Sequence, residues 1–66
     1  MKLTVNGEQA EHADGLTVSA LLAELKLDPR RVAVERNKDI VRRAHFDKTD
    51  LAEGDVVEIV TLVGGG

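Results

Sequence analysis

The 66-residue chain leaves room for one small domain and no more. Phe46 is its single aromatic residue, so the core falls to the aliphatic members of a 42% hydrophobic composition. The absence of cysteine excludes a disulfide staple, a thiolate-bound zinc and a thiol nucleophile, and the net charge of −3 argues against nucleic acid.

No apolar run follows Met1, and none approaches the length of a membrane span. The expectation is a cytoplasmic domain without membrane contact, monomeric when free. The charge is distributed unevenly. Residues 30–43 hold Arg30, Arg31, Arg36, Lys38, Arg42 and Arg43 against Glu35 and Asp39, a local +4 that leaves −7 elsewhere. Such a run is either a solvated face or a docking patch for an acidic partner.

Leu3 and Val5 alternate with polar neighbours, as in a half-buried strand. Asn6-Gly7 predicts a type I′ hairpin turn, and residues 8–13 a weak returning strand ended by Asp14-Gly15. Thr17 stands where a helix N-cap belongs, and Val18, Leu21, Leu22 and Leu25 then form one apolar stripe, supported by Ala20 and Ala23. Asp28-Pro29 is expected to end that helix. Val32-Ala33-Val34 reads as a strand, Asn37-Lys38-Asp39 as a turn, and Ile40-Val41 as a second short strand. Phe46 and Leu51 bracket a polar segment, 47–50, expected to form one helical turn. After a turn at Gly54-Asp55, residues 56–63 are the most β-prone stretch, running into Gly64-Gly65-Gly66. The fold class is α+β: a mixed sheet with one helix across one face, residues 1–63 as the domain and 64–66 as a glycine tail.

An ordinary active site cannot be assembled from these residues. Ser19 is the only serine and lacks the glycines of a nucleophile elbow. His12 and His45 have no ligand spacing, and the twelve carboxylates are scattered. No helix follows the terminal glycines to make a phosphate cradle. The chain itself is expected not to be an enzyme and to bind no metal or cofactor.

The tail is either a frayed end or a tether. Glycine threads a channel too narrow for other residues, and three extended residues reach about 10 Å. That reach would bring the Gly66 carboxylate into a partner's pocket. A terminal carboxylate can attack the α-phosphate of ATP and become an acyl-adenylate open to a sulfur or nitrogen nucleophile. In the last strand, alternation places Val57, Ile59 and Val63 toward the helix. It leaves Val56, Val60 and Leu62 as an apolar group on the open face, interrupted by Glu58. That group marks a partner surface, unless loops or a dimer contact cover it.

The ordered set Val5-Asn6-Gly7-Glu8, Thr17-Val18 with Leu21-Leu22, Val32-Ala33-Val34-Glu35 with Asn37, Gly54-Asp55 with Val57-Glu58-Ile59-Val60, and terminal Val63-Gly64-Gly65-Gly66 resembles the thiamine-biosynthesis sulfur carrier family. These are small β-grasp proteins of ubiquitin-like topology. The resemblance covers essentially the whole chain. It implies an adenylating enzyme related to the ubiquitin activators, using ATP and Mg²⁺ in its own site to convert the Gly66 carboxylate to an acyl-adenylate. A sulfur donor fed by a cysteine desulfurase would then give the Gly66 thiocarboxylate, and thiazole synthase would receive the sulfur. Gly65 and Gly66 take the positions of the family's glycine pair, with Gly64 an extra tether residue. The rivals are a sulfur carrier of molybdenum cofactor synthesis, a ubiquitin-like modifier and a plain binding domain with an irrelevant tail.

Overall fold

In a computed structural model of the chain, which describes residues 1–63, five strands form one mixed sheet with a single helix packed on one face. The strands are β1 (Lys2–Val5), β2 (Glu8–Glu11), β3 (Val32–Arg36), β4 (Asp39–Val41) and β5 (Val56–Thr61), and the helix is α1 (Val18–Glu24). Their order across the sheet is β2-β1-β5-β3-β4. The last strand therefore lies at the centre, parallel to β1 and antiparallel to β3. A parallel pair cannot be joined by a tight turn. The helix and the outer hairpin of β3 and β4 occupy the long connection.

The β1–β2 turn forms at Asn6 and Gly7, both with positive φ (49° and 83°), as a type I′ turn requires. The β3–β4 turn has the same signature at Asn37 and Lys38. Asp39 belongs to β4 opposite Arg36 and not to the turn. β2 stops at Glu11, short of the expected Ala13. β1 begins at Lys2, and beyond the strand Met1 and His12 still exchange two bonds: the His12 N–H reaches the Met1 carbonyl and the Met1 amino group donates to the His12 carbonyl, each at 2.7 Å.

The start of α1 follows the sequence: the Ala20 N–H donates to Thr17 Oγ1 at 3.1 Å. Its end does not. Lys26 turns left-handed (φ 58°), the Lys26 N–H reaches the Ala23 carbonyl, and the Leu27 N–H reaches Leu22, the paired bonds of a Schellman cap. The helix is over before Asp28-Pro29. Pro29 instead opens a short 3₁₀ turn, Pro29–Arg31, capped by Asp28. Leu25, the last member of the apolar stripe, sits at the cap and is 44% exposed.

Helical geometry near Phe46 also falls earlier than expected. The 3₁₀ turn spans Arg43–His45, and 47–50 is not helical. The segment is held by the open end of α1. The Val18 N–H donates to the Thr49 carbonyl (3.0 Å) and the Ser19 N–H to the Phe46 carbonyl (2.9 Å), satisfying donors that a first helical turn leaves free. Phe46 and Leu51 are both buried, as their bracketing position predicts. They join Leu3, Val18, Leu21, Leu22, Val32, Val34, Val57, Ile59 and Leu16 in one core between helix and sheet.

One buried carboxylate ties the loops to this core. Asp55 Oδ2 accepts from Arg36 Nε and from the Ala52 N–H, each at 2.8 Å, and Oδ1 accepts from Asn37 Nδ2 at 3.0 Å. Asn37 in turn accepts from the Val56 N–H and donates its own N–H to the Val56 carbonyl, fixing the first residue of β5. Burial opposes ionisation of Asp55, but the hydrogen bonds from Asn37, Ala52 and Arg36 together outweigh it and hold the carboxyl below the ordinary carboxylate value. A depressed folded-state pKa contributes stability above the unfolded value, and that contribution is lost as the pH falls through the folded one. Acid titration from pH 5 to 2 is therefore expected to destabilise the parent more steeply than Asp55→Asn. At pH 7 the variant is expected to be less stable by about 2 kcal/mol, measured by urea denaturation.

Candidate functional site

Alternation along β5 divides the sheet into two faces. Val57 and Ile59 are buried against the helix, and Val56, Glu58 and Val60 point the other way and are exposed. Register extends this open face across neighbouring strands. Val60 lies opposite Ala33, Glu58 opposite Glu35, and Glu35 in turn opposite Ile40 on β4. Val56 neighbours Thr4 of β1. Leu62 follows the strand, its N–H bonded to the Arg31 carbonyl at 2.7 Å, and its side chain is exposed.

Val56, Val60 and Leu62 are thus all solvent-facing, with Val60 60% exposed. Val63, expected on the helix side with Val57 and Ile59, is 89% exposed. The strand ends at Thr61, so alternation no longer governs that position, and the helix-facing core is complete without it. Ile40, at 77% exposure, was not foreseen as part of this face. Its parity is set only by its pairing with Glu35, which a three-residue strand does not reveal. Gly64, Gly65 and Gly66, assigned to the tail, lie outside the described residues.

The remaining candidates do not converge. His12 Nδ1 lies 3.5 Å from Glu24 Oε1, and among the described residues no three potential ligands group together. The basic segment is not one free surface. Arg30 and Arg31 face Asp28 at 3.2 and 3.8 Å, and Arg36 is bound to Asp55, while Lys38, Arg42 and Arg43 are exposed. A shallow cleft of about 220 Å³ beside Arg36, Asn37, Asp39, Val41 and Thr49 offers a guanidinium already engaged by Asp55. Among the described residues no helix is long and apolar enough to cross a membrane.

A sequence model of the ThiS family matches residues 3–66. The chain belongs to the ThiS family. A sulfur carrier protein, ThiS, of Bacillus subtilis is 40% identical over 65 residues, covering 97% of this chain and 98% of that one. The crystal structure of a thiamine biosynthesis protein (ThiS) from Geobacter metallireducens superposes with a TM-score of 0.85 at 40% identity, covering both chains completely. That superposition agrees with the β-grasp fold expected from the sequence. A thiazole synthase of Paramagnetospirillum magneticum is 47% identical over all 66 residues, and one of Magnetococcus marinus is 42% identical. The chain spans a fifth of the length of these two relatives.

The open face also carries an unfavourable pair. Glu58 and Glu35 are direct cross-strand neighbours of like charge, and among the described residues neither has an ion-pair partner. Replacing Glu58→Lys is expected to raise stability by about 0.2–1 kcal/mol in low salt. The gain, read by urea denaturation, should shrink in 1 M salt, because exposed charges are screened.

Proposed function

We propose that this chain is a sulfur carrier of thiamine biosynthesis whose working group is the carboxylate of Gly66. The observation that carries the reading is the end-to-end likeness to the Bacillus subtilis sulfur carrier protein, joined to a glycine tail that follows the central strand of the sheet. The fold supports it mechanically. β5 is held between β1 and β3, so the chain leaves the sheet from a fixed strand rather than from a loose edge.

In this reading the Gly66 carboxylate attacks the α-phosphate of ATP, pyrophosphate leaves, and an acyl-adenylate forms in an adenylating partner that holds the ATP and Mg²⁺. A persulfide on a donor fed from a cysteine desulfurase displaces AMP to give an acyl disulfide, and a thiol then cleaves its S–S bond, leaving the thiocarboxylate and a disulfide. Gly64 and Gly65 let the end enter the partner's channel, since a residue without Cβ accepts backbone angles that others resist. Val56, Val60 and Leu62 are the docking surface, a small apolar group on a charged face, and Ile40 extends it. Thiazole synthase is the acceptor. Support for that partner comes from the two thiazole synthases that contain a stretch matching the whole of this chain. The chain contributes no catalytic group, and with no cysteine it cannot trap its own activated end as a thioester.

Removal of Gly65 and Gly66 separates this reading from that of a domain with an irrelevant tail. In a strain lacking its own carrier, the full chain is expected to restore growth without thiamine and the truncated chain to fail, with both accumulating to equal levels. Growth supported by the truncated chain would end the tail hypothesis.

A further inference from the structure

β1 pairs with β5 only as far as Val5 opposite Val57. The Asn6 N–H still reaches the Val57 carbonyl, at 2.9 Å, and the backbone then turns away at φ 49° into the hairpin. β5 continues to Thr61. On its β3 side the ladder goes on, through Val34 opposite Ile59 to Val32 opposite Thr61. On its β1 side the main chain offers no further strand. The place is taken by a side chain: the Ile59 N–H donates to Asn6 Oδ1 at 2.7 Å, and Asn6 Nδ2 donates to the Ile59 carbonyl at 3.1 Å, across 53 positions of sequence.

A carboxamide has the donor and acceptor of a peptide group, so Asn6 gives Ile59 what one more residue of β1 would have given. The position allows few alternatives. It needs left-handed backbone, which asparagine tolerates and β-branched residues do not. It also needs both a donor and an acceptor at short reach. Aspartate lacks the donor, glycine has neither, and glutamine is one methylene longer.

We infer that Asn6 is a positioning residue for the C-terminal tail, extending the two-sided hold on β5 from Val57 to Ile59 and so setting the direction in which the chain leaves the sheet. Without the carboxamide, residues 58–61 are held by β3 alone, and a strand bound on one side frays more readily. Fraying spreads the tail over more directions and lowers the fraction of chains poised to enter a partner's channel, while leaving chemistry inside that channel unchanged. The inference rests on the reading of Gly66 as the activated end.

The test compares the parent with Asn6→Gly, which keeps the turn and removes both bonds, and Asn6→Asp, which keeps the turn and one acceptor. Thr17→Ala, a helix-cap loss that removes no hydrogen bond of β5, controls for general destabilisation. Amide hydrogen exchange reports on Ile59, and ATP–pyrophosphate exchange with an adenylating enzyme of the family reports KM and kcat. Asn6→Gly should lose protection at Ile59 relative to Val34. Its KM should rise by about fivefold, the factor matching one ordinary hydrogen-bonded hold, with kcat little changed. Asn6→Asp should fall between parent and glycine variant, and Thr17→Ala should keep the parental KM. A parental KM in Asn6→Gly, or an equal rise in Thr17→Ala, overturns the inference; if the glycine variant does not fold, the aspartate variant decides by the same criteria. Failure of the parent itself to be activated would count against the function reading, and Ile59 protection would then decide alone: undiminished protection in Asn6→Gly refutes the hold.

Discussion

The domain depends on the closure of β5 between β1 and β3. The fifth strand in chain order occupies the middle of the sheet, and its parallel partner is the first. That insertion brings Val57 and Ile59 into the same core as Val18, Leu21 and Leu22 of the helix. A contact between the two ends of the chain has a high loop-closure cost and forms only when the intervening elements already favour it. Here those elements are fixed locally by two type I′ hairpins, one capped helix and the Asp55 cluster. The consequence for function is direct. A segment that follows a central strand departs from a strand held on both sides, where one that follows an edge strand or helix end departs from an element that frays.

The two faces of β5 divide its duties. The inner face is aliphatic and buried. The outer face combines exposed valines with Glu58, set against Glu35 at some cost to the sheet. Neither the exposed Val60 nor that acidic pair serves the stability of the isolated domain, and Val60 and Glu58 lie on the strand that leads to the glycine tail. In the function proposed above, the inner face carries stability, the outer face recognition, and the chain's end the group on which partners act.

Much of this was legible in the sequence where local chemistry decides. Asn6-Gly7 announced its turn because few other pairs accept two left-handed residues, and Thr17 announced its helix through its hydroxyl acceptor. The alternation of residues 56–60 gave both faces of β5 correctly. The failures came where distant contacts decide. Lys26 ends the helix in a conformation usually left to glycine, stabilised by Leu27 packing on the core, so Pro29 was mistaken for the terminator. The 3₁₀ turn fell before Phe46 because the start of α1 draws on the carbonyls of Phe46 and Thr49. Val63 was assigned inward by extending alternation past the end of the strand. The hold of Asn6 on Ile59 had no local signal at all, since its partners meet only in the folded sheet.

The central claim is chemical and concerns one atom of Gly66. Its most direct test is high-resolution intact mass of the chain after incubation with an adenylating enzyme of the family, ATP, Mg²⁺ and a sulfur source, combined with thiol-selective alkylation to separate a thiocarboxylate from an oxidised Met1. The account predicts exchange of one carboxylate oxygen for sulfur and a single alkylation mapped to Gly66, dependent on ATP. An unmodified C-terminus, under conditions where the same enzyme modifies the Bacillus subtilis carrier, would contradict it.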